Sequence, residues 1–176
     1  MIKNRQVVVV LFIVLLFAGS WTTTVAKDRS GPSHLFQIVL LVGDHDGETE
    51  LKDVPPNVLP AVDDVRQFLT YKHYRFVDSA VMRSNGKAEV SMTGPENQQI
   101  DVKFAFHLAQ VDEAGKRKIQ VRSFEVGAID APPNDQGWHG VLETSFGVDA
   151  GETIVVGSSK LNGSDRALIV LFTAVR

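Results

Sequence analysis

The stretch from Ile100 to Leu108 constrains this chain more than any other. Ile100, Val102, Phe104, Phe106 and Leu108 alternate with Asp101, Lys103, Ala105 and His107. Successive side chains of a strand point to opposite faces, so this alternation specifies a half-buried strand with an apolar inner face and a polar outer one. The same period recurs where Ala88, Val90 and Met92 interleave with Lys87, Glu89 and Ser91. Tyr74, Phe76, Val77 and Val81 mark another strand, ending near Arg83. Turn formers separate these runs at Ser84-Asn85-Gly86, Thr93-Gly94-Pro95, Asp112-Glu113-Ala114-Gly115 and Pro132-Pro133-Asn134-Asp135. After Ile119 and Val121 the alternation changes phase at Ser123-Phe124, which predicts a β-bulge. Further strands are predicted at Val141–Phe146, Thr153–Val156 and Ala167–Val175.

Two runs depart from alternation. Phe36–Val42 is continuously apolar but for Gln37, and Ala167–Val175 has Thr173 as its single polar residue. Strands of that kind need cover on both faces, because an exposed apolar strand invites pairing with other chains. The last run is therefore predicted to lie centrally, paired with Thr153–Val156 through a turn at Asn162-Gly163. A single helix is predicted at about 57–70, with Asn57 as N-cap, Pro60 in the first turn, and Leu59, Val62, Val65 and Leu69 on one face. The fold class is α+β but mainly β: an antiparallel sheet or sandwich of about eight strands with one amphipathic covering helix. Residues 34–176 form one domain, preceded by a polar lead at 27–33.

The first 26 residues read as a signal peptide. Lys3 and Arg5 precede the uncharged run Val7–Gly19, and small and polar residues lead to Thr24-Val25-Ala26. The apolar run is shorter than the ~20 residues that a membrane-spanning helix needs. Cleavage after Ala26 leaves 16 basic and 21 acidic side chains and no membrane span; the alternative is an uncleaved N-terminal anchor. The 176-residue chain has no cysteine, so it carries no disulfide and must rely on its core. An exported, periplasmic or secreted bacterial envelope protein is the expectation. A net charge of −3 argues against nucleic acid as a partner.

Chemistry-bearing residues are few. Asp44, His45, Asp46 and Glu48 crowd one loop, Asp44-His45-Asp46-Gly47-Glu48, where carboxylates and an imidazole can chelate a divalent cation. The calcium-loop pattern fails there, since Gly47 is fourth from Asp44 and the twelfth position is Pro55. A solvated turn explains the same residues without a metal. Trp138 and His139 follow the longest turn-rich gap and either line a ligand pocket or anchor that loop to the core. No nucleophile elbow, Ser-x-x-Lys pair or phosphate-cradling glycine loop occurs, and no cofactor is implied. The reading is a non-catalytic binding or assembly module, with an envelope enzyme using a pocket near Trp138 and His139 as the alternative.

About the last 35 residues carry a resemblance. Val141-Leu142-Glu143-Thr144-Ser145-Phe146, then Ala150-Gly151-Glu152-Thr153-Ile154-Val155-Val156-Gly157, then Ala167–Val175 follow in succession. The Gly-Glu-Thr-Ile-Val-Val-Gly pattern before an apolar, Thr-containing final strand resembles the end of the secretin β-domain, over about a fifth of the chain. Secretins are outer-membrane ring channels of bacterial secretion and pilus systems. The resemblance implies a small exported protein associated with an envelope protein assembly.

Overall fold

A computed structural model describes residues 32–111, 117–129, 138–161 and 165–176, with the backbone alone at 109–111, 117, 138 and 139. The signal segment, most of the lead and the turns predicted at 112–115, 132–135 and 162–163 lie outside the described residues. Within them the chain runs β1 (His34–Asp44), α1 (Leu59–Phe68), β2 (His73–Ser84), β3 (Lys87–Thr93), β4 (Gln99–Val111), β5 (Arg117–Ile129), β6 (Trp138–Asp149), β7 (Thr153–Lys160) and β8 (Ala167–Val175). Two antiparallel sheets result, ordered β2-β1-β8-β7 and β3-β4-β5-β6. The chain is mainly β with one helix, as its periodicities require.

The two unbroken apolar strands are the central pair of the first sheet, β1 beside β8 from Leu35↔Val175 to Gly43↔Ala167. One face of the pair, with Phe36, Ile38, Leu40, Leu168, Val170 and Phe172, packs against the second sheet. The other face, with Val39, Leu41, Ile169 and Leu171, lies under Val54, Val58, Val62 and Val65. Each fully buried side chain of this size contributes ~1.5–3 kcal/mol. An edge position would expose the flank of these side chains and a row of unpaired backbone groups, and this places the pair at the centre. β7 flanks β8 from Thr153↔Thr173 to Lys160↔Ala167, as the apolarity of the final strand demands.

In the second sheet Ile100, Val102, Phe104 and Phe106 of β4 point inward beside Ile119, Val121, Phe124 and Val126 of β5. The phase change has the expected cause. Ala105 pairs with Ser123 but Phe106 with Val121, so Arg122 is the extra residue of a bulge. Asp101 differs from expectation. It stands on the outer face, yet it is buried, with its carboxylate accepting from the Ser91 hydroxyl at 2.7 Å and the Gln99 amide at 2.9 Å.

The helix is shorter than its pattern. Asn57 does not cap it: the side-chain amide donates instead to Gln37 Oε1 at 2.7 Å, and Val58 takes the N-cap position. The inward face then runs Val58, Val62, Val65 and Leu69, which leaves Leu59 exposed. The β3–β4 turn places Glu96 and Asn97 both at φ 59°, with Gln98 N–H donating to Pro95 O at 3.2 Å. These are type I′ dihedrals, which suit hairpin twist but penalise side chains with a Cβ. Where β2 and β3 diverge into different sheets, the Asp78 carboxylate accepts from Thr93 N–H at 2.8 Å and ties the seam.

Candidate functional site

β1 ends at Asp44, directly opposite His73, where β2 begins. The loop that follows is held along the outer edge of β2. Glu50 N–H donates to Tyr74 O and accepts from Phe76 N–H through its own carbonyl, both at 2.9 Å. Asp46 N–H donates to Asp44 Oδ1 at 3.1 Å, and Gly47 makes the reversal at φ 122°, a value side chains with a Cβ rarely adopt. The result is a cleft of about 290 Å³ lined by Val42, Asp44, Asp46, Glu48, Glu50, His73 and Arg75.

Three of the four loop residues singled out by sequence thus share the cleft. His45 does not line it: its ring packs on Tyr71, 5.1 Å between centroids. The imidazole of the cleft comes from His73 instead. Gly43 leaves room for the Tyr71 ring, since a Cβ there would come within 2.7 Å of it. Glu50 pairs with Lys52 at 3.1 Å, and this contact holds the lysine above its ordinary pKa. Four carboxylates against one guanidinium make the cleft acidic. Among the described residues no three His, Asp or Glu side chains are grouped to hold a metal ion. The arrangement suits recognition of a cationic or donor-rich group through several carboxylate oxygens.

Trp138 and His139 open β6, their backbones paired with Ile129 and Ala128; their side chains lie outside the described residues. Gln99 also pairs with Ile129, so β6 starts beside the β3–β4 turn. From that turn Glu96 reaches Arg166 at 2.6 Å, next to the start of β8 beside Gly43. The strand register therefore brings both candidate regions to the same end of the sandwich.

A second polar feature crosses the outer face of the second sheet. Glu89, Lys103, Glu125 and Glu143 are successive cross-strand partners on β3, β4, β5 and β6. Lys103 Nζ lies 3.0 Å from Glu89, whose hydrogen bond and charge raise the lysine pKa, with Asp101 and Glu125 adding to the effect. Directly opposed Glu125 and Glu143 repel. The Gln99 amide, then the Ser91 hydroxyl and Lys103, hold the Asp101 carboxyl below its usual pKa against the opposing effect of burial. His107 on the same face accepts from Arg122 Nε at 2.9 Å.

Sequence reasoning missed His73 and Arg75, whereas Glu50 belongs to the same polar run as Asp44 and Glu48. The only available signal was the register of β1 with β2, and the 28 residues between Asp44 and His73, helix included, conceal it. No helix among the described residues is long and apolar enough to cross a membrane. No family model, no curated protein and no solved structure matches this chain.

Proposed function

We propose that this chain is an exported, non-catalytic binding or assembly module of the bacterial envelope. The observation that carries the reading is the acidic cleft at the end of β1 and β2, where Asp44, Asp46, Glu48 and Glu50 surround His73 and Arg75. Its walls are the ends of two strands, one of them central, and its loop is pinned by backbone hydrogen bonds. It is a surface whose backbone is prebuilt for a basic segment, since a loop already pinned loses little freedom on binding. Charge order at the N-terminus supports export, and the secretin-like hairpin directs the search for a partner to secretin-associated assemblies.

The experiment is an amide-resolved NMR titration with two peptides of equal length, one rich in lysine and arginine, the other in aspartate and glutamate. The basic peptide is expected to shift Gly43, Gly47 and Arg75 and to lose affinity in Asp46→Asn and Glu48→Gln. Equal response to both peptides, or binding unchanged by these substitutions, refutes the reading. N-terminal sequencing of protein from the envelope fraction checks export, with a start near Lys27 expected and an intact Met1 counting against it.

A further inference from the structure

Each sheet of this sandwich has two edges, and three of the four are defended. β2 is covered at Tyr74 and Phe76 by the backbone of Glu50, and it carries Arg75, Asp78 and Arg83. β3 has Lys87 and Glu89, and its Thr93 N–H is taken by Asp78. β6 has Glu143 at its middle. Charges and covering groups of this kind are how sheet proteins prevent edge-to-edge pairing.

β7 differs. From Thr153 to Ser159 it has no charged residue, and among the described residues it pairs with β8 on one side while no ladder joins its other side to β6 across the corner. Val155 stands on the outer face beside Leu171 and is 41% exposed. The strand is bounded by Glu152 at one end and Lys160 at the other. Two copies laid antiparallel along this edge set each glutamate end against the lysine end of the partner. The one blunting device, a bulge between Val155 and Gly157, falls at the strand midpoint. A two-fold axis between Val156 and Gly157 then places Thr153 opposite Lys160 and Val155 opposite Ser158. All four belong to the outer face, since Thr153, Val155, Ser158 and Lys160 pair with Thr173, Leu171, Ile169 and Ala167. This register keeps the outer-face residues of one copy opposite outer-face residues of the other, as antiparallel pairing requires, and the bulge does not break it.

We propose that the protein self-associates as a two-fold dimer through antiparallel pairing of β7 with β7, which joins the two β2-β1-β8-β7 sheets into one of eight strands. The interface is separate from the acidic cleft, so either reading can fail without the other.

The test uses the protein purified as its host produces it. Sedimentation equilibrium is expected to show a concentration-dependent dimer. Val155→Lys sets a cation diagonal to Lys160 of the partner at two symmetric places and is expected to raise the dissociation constant on the order of tenfold. The melting temperature should not fall, because Val155 is already exposed. The absence of cysteine allows a unique spin label at Ser158→Cys. With the two positions three residues along and one strand across, the label sites should lie on the order of 10 Å apart at Cα. A monomer at every concentration, labels far beyond that separation, or a dimer indifferent to Val155→Lys would each overturn the proposal. The label also decides the matter if Val155→Lys fails to fold.

Discussion

Phe172 offers the most direct measurement of what holds the two sheets together. Its ring is fully buried and lies 5.4 Å from Phe36, 5.2 Å from Phe104, 5.6 Å from Phe124 and 5.4 Å from Phe146. Those neighbours come from β1, β4, β5 and β6, so one side chain on β8 bridges both sheets. Truncating a buried Phe to Ala costs about 3–5 kcal/mol, and the spread reflects how well the site collapses. Here collapse is resisted by central strands whose backbones are locked in ladders on both sides. Ring pairs add ~0.5–1.5 kcal/mol beyond their area, although four of them do not simply sum. The upper end of the range, about 4–5 kcal/mol, is therefore expected for Phe172→Ala. Total stability of a domain is only ~5–15 kcal/mol, so this variant stands near the limit of folding. Phe172→Leu keeps most of the volume and should lose about 1.5 kcal/mol. Urea melts followed by far-UV circular dichroism measure both. With slopes of ~1–3 kcal/mol per molar, the alanine variant should shift the midpoint by about 2 M. A loss under ~2 kcal/mol for Phe172→Ala would refute the argument that this ring bridges the sheets. So would a loss no larger than that of Val155→Ala.

Asn97→Gly should raise stability by about 0.5–1 kcal/mol, because glycine adopts the left-handed conformation of the β3–β4 turn without a Cβ penalty; an unchanged or lower urea midpoint contradicts this. Asp101 has a depressed pKa when folded, so its contribution is present above the unfolded value of ~3.9 and is lost as pH falls through the lower folded value. Stability curves in acid should accordingly be shallower for Asp101→Asn than for the parent chain, and parallel curves below pH ~4 would count against the hydrogen-bond assignment. Deleting residues 167–176 removes a central strand and exposes β1, β7 and the apolar underside of α1, so cooperative unfolding should disappear; a truncated chain melting near the parent temperature would show that β8 is not central.

What the sequence determined alone is which face of the most regular strands is buried, although Leu108 at the end of β4 and Val81 in β2 are exposed. The backbone fixes side-chain direction at two residues per repeat, so Ile100 to Phe106 declares an inner face, and the phase change near Ser123 declares a bulge before any partner strand is known. The same rule makes β1 and β8 central, since a strand apolar on both faces has no stable place at an edge. The helix was visible as a 3.6-residue period and its inward Val62, Val65 and Leu69 were legible, but its start was not: Asn57 donates to Gln37 rather than capping the helix, Val58 takes the cap position, and Val58 rather than Leu59 completes the buried face. Strand order and register belong to the tertiary structure. That β8 returns beside β1, that Asp78 ties the seam to Thr93, and that Glu89, Lys103, Glu125 and Glu143 form one row all depend on which strands become neighbours. The cleft has the same origin. Asp44, Asp46 and Glu48 are local in sequence, whereas His73 and Arg75 reach them only through the pairing of β1 with β2. Periodicity reports burial because it is set residue by residue along one backbone; the meeting of charges is set by packing the whole core, to which polar surface positions contribute little energy and therefore little pattern.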